Sequence, residues 1–472
     1  MTAGGAGVTV TAMRAMRTGI AADEALRSVL AEAAPLPAEL VEAGAALGRV
    51  LAAPVAARRT LPPAGCSAMD GYALRAADLA EAGPGRAVCL RVGGEVAAGG
   101  RAAPLAPGEA ARIFTGAPLP QGADAVVPQE QAEALAATGE VRIAVAAPPG
   151  AHIRRAGEDV RAGDEVLPAG ARLGPGQIGM LAALGRTLAA VHRRPRVALL
   201  SSGDELVEPD GDASGGRIVS SNAYALAAQC REAGALPINL GIARDNPAAL
   251  TALLRAGLEA DLLVSTAGVS VGDHDHVRPA LAALGCRLVF WGVRVKPGYP
   301  VAFGVFDGAP GAASSDGAAA DGAPGDTGAA AAGAAPSVDA AGAAGAAPGR
   351  RGPLVFALPG NPVSAMVSFE QLVRPVLLRM GGHRNLSRPV LRAELGETLR
   401  KSAGRLHYVR VQLSREGGRI VARSTGNQSS GALHSMTLAD GLLIFPEAAT
   451  ELPKGSEARV QLLDPGILCE PA

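Results

Sequence analysis

The sequence predicts an α/β multidomain protein whose central part is a doubly wound, mostly parallel sheet. From Arg196 onward, short apolar runs alternate with helical stretches, which is the rhythm of βαβ units. Before and after that region the texture changes to short strand-like runs punctuated by glycine and proline, as in small β domains. Compact polar and glycine-rich segments follow directly on several of the central strands, the edge at which parallel sheets bind ligands.

Composition narrows the function classes. With 472 residues the chain is long for one core, and several domains are expected. Hydrophobic residues make up 48% but aromatics only 3%, so cores should be built mainly from Ala, Val and Leu. Lys+Arg and Asp+Glu are equal at 44 each, which gives no global electrostatic case for nucleic acid or for an anionic membrane. Any charged site must be local. Lysine occurs only at Lys296, Lys401 and Lys454, so Lys296 stands out within its motif. The five cysteines, Cys66, Cys89, Cys230, Cys286 and Cys469, are scattered and never form a C-x-x-C pair, as expected of reduced thiols. There is no signal-peptide pattern and no uncharged apolar run near the ~20 residues of a membrane helix, so a cytoplasmic protein is expected.

Taken in order, residues 18–53 carry helical periodicity broken by Pro35 and Pro37, and 18–62 with 152–192 are expected to form a discontinuous N-terminal helical or linker domain. Residues 63–151, with Ala87–Val92, Ala110–Phe114 and Ala123–Val127, are expected to be an inserted β-rich domain. The α/β domain spans 193–386. Its strands are placed at 197–200, 237–242, 262–264, 288–291, 301–306 and 354–358, and its helices at 223–233, 247–258, 277–284 and 362–380. Residues 308–350, almost entirely Gly, Ala, Pro, Ser and Asp, are expected to be a disordered insertion. Short strands return over 387–467, giving a small C-terminal β domain.

Three strand-to-helix turns of the central domain carry polar clusters that a parallel sheet would bring to one edge. The first, Ser201–Leu206, holds Asp204 and Glu205. The second, Thr266–Asp275, holds Gly268, Ser270, Asp273 and Asp275. In the third, Leu358–Ser364, Gly360 permits close backbone approach, Asn361 is suited to cap a helix and Pro362 to begin it, which presents a helix N-terminus to an anion, with Ser364 adding a hydroxyl. Lys296 could neutralise a phosphate or oxyanion held there. Asp204, Glu205, Asp245 and Asp275 suit a divalent cation, and Mg²⁺ is the natural choice because it accepts carboxylate oxygens together with substrate phosphate. Taken singly, each acid is better read as a helix cap or a solvated turn residue; their shared edge is what favours a site.

Other motifs carry less. Gly174–Gly179 matches G-x-G-x-x-G but lacks a preceding strand and a following acid, so it is a helix start rather than a dinucleotide fingerprint. His274 and His276 have no further ligands at zinc spacing. Asp70 and Thr115 lie in compact polar turns that spacing alone leaves as turn formers.

Together, S-A-M-D-G-Y-A at 67–73, F-T-G-A-P-L-P at 114–120, G-E-D-V at 157–160, S-G-D-E-L at 202–206, G-V-S-V-G-D at 268–273 and L-P-G-N-P-V-S at 358–364 resemble the molybdopterin molybdenumtransferase family, the MoeA-type enzymes related to the E domain of gephyrin. The resemblance runs in order from about residue 18 to 465. It implies a molybdopterin-binding central domain, a barrel-like C-terminal domain, and an elongated homodimer that inserts molybdate into adenylylated molybdopterin with release of AMP and dependence on Mg²⁺. By motif match, Glu205, Asp245 and Asp275 would be the cleft acids and metal ligands, and Lys296 an anion-binding lysine. Gly268, Ser270, Gly360, Asn361, Pro362 and Ser364 would bind substrate, while Asp70 and Thr115 would reach the cleft from a partner subunit. The molybdopterin adenylyltransferase is a further expected partner. An adenylyltransferase activity, or a non-catalytic molybdopterin-binding scaffold, are the competing functions. Two positions depart from the pattern: Tyr299 stands where a second lysine is common in K-P-G-K-P, and Gly292 where lysine often follows the tryptophan, so the cleft would carry less positive charge. Ser429 replaces a usual glycine.

Overall fold

A computed structural model of the chain describes residues 16–101, 103–266, 276–307, 352–464 and 466. Gly268, Ser270, Asp273 and Asp275, the insertion 308–350 and Cys469 lie outside the described residues. The chain divides into two compact units, one drawn from Met1–Leu40, Gly48–Ala52 and Ala190–Ala472, the other from Val41–Leu47 and Ala53–Ala189.

The larger unit is built on a seven-stranded sheet. Its strands are β1 (Arg17–Ile20), β2 (Arg196–Ser202), β3 (Leu236–Ala243), β4 (Leu262–Thr266), β5 (Arg287–Val293), β6 (Ala302–Val305) and β7 (Leu354–Leu358), in the spatial order β1-β5-β6-β7-β4-β2-β3. Strands β7, β4, β2 and β3 run parallel, whereas β6 is antiparallel to both its neighbours. The chain passes from β2 to β3 on one side and then to β4 on the other, so the direction of winding reverses at β2. Ligand crevices of open α/β sheets form outside the strand ends at such a reversal.

Side chains alternate between two cores, as the twofold repeat of a strand requires. Val197, Leu199, Val264, Phe290, Phe303 and Phe356 face α1 (Ala22–Glu32), α2 (Ser221–Glu232) and the long helix that opens with Pro362. Ala198, Leu200, Leu263, Val355 and Ala357 face α3 (Pro247–Gly257) and α4 (Val277–Ala283). The first core is less aliphatic than composition suggests: Phe303 packs against Phe290 and Phe356 with ring centroids 5.7 and 4.9 Å apart. The long helix comprises α5 (Pro362–Ser368), a π-helical stretch over Phe369–Val373, and α6 (Arg374–Met380). Pro375 has no N–H to offer the preceding turn, which accounts for the widening just before it.

The expected helical opening is corrected in part. Arg17–Ile20 is a strand, paired in parallel with β5 at the sheet edge, and Ala38–Glu42 is also extended; only Ala22–Glu32 is an α-helix there. Prolines 35 and 37 end the helical pattern, and the alternating exposure of Ala38–Glu42 has a strand period that the helical reading overlooked.

After α6 the chain enters a closed five-stranded barrel of Val390–Leu395, Leu406–Glu416, Arg419–Ser424, Gly441–Phe445 and Glu457–Leu462, with Val295–Lys296 added alongside Leu406–His407. An ion network centred on the buried pair Arg388–Glu370 fastens barrel to sheet domain. Arg388 bonds to Glu370 at 2.7 and 3.2 Å, to Glu232 at 2.8 Å and to the carbonyl of Leu463 at 2.6 Å. Such a network fixes orientation more than it adds stability, because desolvation offsets the attraction.

The smaller unit contains a six-stranded sheet of Ala125–Pro128, Gly71–Leu74, Glu109–Ile113, Val88–Val96, Glu140–Ile143 and Ala132–Leu135, in that spatial order. Its helix Pro175–Ala183 begins at the G-x-G-x-x-G motif, where the N–H of Gly174 donates to Gln177 Oε1 at 3.0 Å, so that motif is a helix start. Among the described residues no helix is long and apolar enough to cross a membrane.

Candidate functional site

Strand ends of the parallel sheet and the N-terminus of α5 line a cavity of about 620 Å³, within the range of small-molecule sites. Ser201 at the end of β2 and Thr266 at the end of β4 contribute hydroxyls, and Glu205 lies on the turn after β2. Opposite stand Gly360, Asn361 and Pro362. The hydroxyls form a buried relay, with Ser220 Oγ donating to Ser201 Oγ at 3.1 Å and Thr266 Oγ1 donating to the same atom at 3.3 Å. Asn222 donates to the carbonyl of Gly360 at 2.7 Å, while its buried Oδ1 accepts from no group among the described residues, an orphan acceptor on the cavity wall. A buried acceptor of this kind is costly unless a ligand N–H or O–H satisfies it.

Asp204 and Asp245 are tied to each other on adjacent turns: the N–H of Asp245 donates to Asp204 Oδ1 at 3.0 Å, and Arg244 Nη1 donates to the carbonyls of Asp204 and Leu206 at 3.0 and 3.2 Å. Asp245 is not the cap of α3. That role belongs to Asn246, whose side chain accepts from the N–H groups of Ala248 and Ala249. Gly203 has φ +144°, a backbone conformation that L side chains rarely adopt, and the Glu205 carboxylate packs against its bare Cα. Among the described residues no three His, Cys, Asp or Glu side chains gather as a metal cage.

A second cavity of about 550 Å³ adjoins the first and shares Pro300, Pro359 and Asn361 with it. Lys296, Tyr299, Ser364, Arg405 and Gln428–Ser430 line it. The structure therefore brings together Lys296, Asn361 and Ser364 on one wall. Asn361 occupies the cap position of α5, but its side chain makes no capping bond and donates instead to Ser430 Oγ at 2.9 Å; the N–H of Val363 donates to the Ser430 carbonyl at 3.1 Å. The expected cap gives way to a tie with the barrel because Ser430 offers an acceptor within reach.

Sequence reasoning missed three features of this second cavity. Arg405 places its guanidinium over the Tyr299 ring, 4.7 Å from the centroid, so one positive group is supplied from the barrel. Arg410, fully buried, shapes the loop behind it: Nε donates to Ser435 Oγ at 3.1 Å and Nη2 to the carbonyls of Asn427 and Ser429 at 3.3 and 3.1 Å. Burial pulls its pKa down to about 10. His407, paired with Lys296 across the strands, is pushed down to about 4 by burial, with Lys296, Arg410 and Lys401 adding to the effect, and both ring nitrogens lack a partner among the described residues. The one signal available was a charged residue inside the apolar run Leu406–Leu413.

In the smaller unit, Asp70 Oδ1 accepts from the N–H and Oγ1 of Thr115 at 2.7 and 2.8 Å, which lowers the Asp70 pKa. These two turn residues are thus joined to each other.

Comparison with known proteins accounts for this arrangement. Residues 20–185 match the MoeA N-terminal region (domain I and II), 198–379 the probable molybdopterin binding domain, and 392–463 the MoeA C-terminal region (domain IV). The molybdopterin molybdenumtransferase of Nostoc sp. is 34% identical over 426 residues, 89% of this chain and 88% of that protein. Molybdopterin molybdenumtransferase 2 of Mycobacterium tuberculosis is 35% identical over 423 residues, 88% of this chain and 92% of that protein. Two crystal structures of molybdopterin biosynthesis MoeA protein from Pyrococcus horikoshii superimpose with TM-scores of 0.73 and 0.72 at 30% and 27% identity, covering 94% of this chain and 99% and 100% of theirs. With three consecutive family regions and relatives matched over most of their length, the chain belongs to the molybdopterin molybdenumtransferase (MoeA) family.

Proposed function

We propose that the chain is a molybdopterin molybdenumtransferase of molybdenum cofactor biosynthesis, and that it inserts molybdate into adenylylated molybdopterin with release of AMP. The observation that carries this reading is the pair of adjoining cavities: one large enough for a nucleotide-bearing ligand, the other offering Lys296 and Arg405 to an oxyanion. In the first, the α5 N-terminus and the Gly360–Pro362 turn receive phosphate, and the relay of Ser201, Ser220 and Thr266 with the orphan acceptor of Asn222 orients the ligand. In the second, Lys296, Ser364 and Arg405 hold molybdate beside the ligand, so that binding energy at both sites aligns the reacting groups.

Mg²⁺ is the ion we infer for this cleft, because it needs only one or two carboxylates besides substrate phosphate and water; Glu205 on the cavity wall is one candidate to hold it, with Asp245 and, outside the described residues, Asp275 as the others. Bound there, the ion would neutralise charge on the phosphate oxygens. A homodimer, in which Asp70 and Thr115 of one subunit serve the cleft of the other, completes the reading, and the molybdopterin adenylyltransferase is the natural donor of the substrate. Purified protein given adenylylated molybdopterin, Mg²⁺ and molybdate should release AMP, and Lys296→Ala should slow that release; absence of AMP from the wild-type reaction would overturn the assignment.

A further inference from the structure

Gly292 and Tyr299 form one spatial unit beside the second cavity. Gly292 has φ +81°, and a Cβ built on it would stand 3.2 Å from both Cζ and Oη of Tyr299. A lysine at 292 would meet both a left-handed backbone and the tyrosine ring. Tyr299 is held in this seat by backbone and ring contacts. The N–H of Val293 donates to its carbonyl at 2.9 Å, and Trp291 meets it edge-on with centroids 5.8 Å apart and planes at 86°. The free face of the ring carries the Arg405 guanidinium at 4.7 Å. Arg405 is itself fixed at the backbone, since the next residue, Leu406, donates to the Arg294 carbonyl at 3.0 Å and Lys401 Nζ donates to the Arg405 carbonyl at 3.1 Å.

We propose that Tyr299 is a positioning residue: seated over the bare backbone of Gly292, its ring holds the Arg405 guanidinium at the oxyanion cavity. This rests on the reading of that cavity as the molybdate site. A guanidinium offers paired N–H donors to an oxyanion, and stacking limits the side-chain freedom that binding would otherwise remove. The two positions are coupled sterically, because the ring occupies the space that a side chain at 292 would need.

The test is steady-state AMP release as a function of molybdate, together with calorimetric titration of sodium molybdate, for Tyr299→Phe, Tyr299→Leu, Gly292→Ala, Arg405→Ala and the double variant Tyr299→Leu/Arg405→Ala. Tyr299→Phe keeps the ring and should stay within about twofold of wild type, whereas Tyr299→Leu should raise the KM for molybdate roughly three- to tenfold with kcat at saturation unchanged. Gly292→Ala, which displaces the ring without removing it, should move KM in the same direction. The double variant should bind no more weakly than Arg405→Ala. An Arg405→Ala defect without any Tyr299→Leu defect, or defects that multiply in the double variant, would overturn the proposal while leaving the cavity assignment standing. Arg405→Ala without effect on molybdate would overturn the cavity assignment and the proposal with it.

Discussion

Asn361 Nδ2 lies 2.9 Å from Ser430 Oγ, and this bond joins the first turn of α5 to a loop of the C-terminal barrel. Asn361 lines both cavities, so one side chain sets the wall between the proposed nucleotide and oxyanion pockets.

Replacing Asn361 with alanine should therefore affect binding more than folding. The exposed bond contributes about 1 kcal/mol to stability, so thermal melting should shift by only a few degrees, while KM for the adenylylated substrate should rise about tenfold. Melting curves and substrate titration together check this.

His407 predicts an acid-side loss of stability. Its folded-state pKa, about 4, lies below the ordinary histidine value, so the unfolded chain takes up a proton that the folded barrel refuses. Stability should fall as pH drops from about 6.5 toward 4 and level off below, by about 3 kcal/mol for this group. Urea titrations at pH 7 and pH 5 should show the difference, and His407→Phe should flatten it. Lys296→Ala should move the His407 titration upward, since a positive neighbour is lost.

Arg410→Met should loosen the loop behind the oxyanion pocket. It leaves the carbonyls of Asn427 and Ser429 without their donor. Barrel stability should drop by about 1–3 kcal/mol, and molybdate binding should weaken even where the variant remains folded. Hydrogen exchange over residues 427–430 would register the change directly.

The sheet domain was largely legible in the sequence because its strands and helices have strong, different periods: 262–264 and 354–358 lie within strands Leu262–Thr266 and Leu354–Leu358, and 247–258 overlays helix Pro247–Gly257. The opening segment was not, because Arg17–Ile20 is a four-residue strand whose partner, β5, lies some 270 residues away, a pairing that local pattern does not encode. The same holds for the site. Glu205, Asn361 and Ser364 stand in compact motifs, whereas Arg405, Arg410 and the hydroxyls of Ser220 and Thr266 acquire meaning only when distant segments meet.

If Asp70 and Lys296 serve one cleft from different subunits, mixing two inactive variants should restore activity. Asp70→Ala and Lys296→Ala chains, refolded or exchanged together, would form heterodimers with one intact site, giving about a quarter of wild-type AMP release. A mixture as inactive as its parents would place both residues in the same subunit's cleft.

The central claim is a cleft that couples an oxyanion at Lys296 and Arg405 to loss of AMP from the adjoining pocket. The most direct measurement is single-turnover AMP release from adenylylated molybdopterin with Mg²⁺, with and without molybdate, in wild-type protein and in Lys296→Ala. Molybdate-stimulated release in the wild type, with the stimulation lost or shifted to much higher molybdate in the variant, is the predicted result. Release that is absent, or equally stimulated in both proteins, would contradict it.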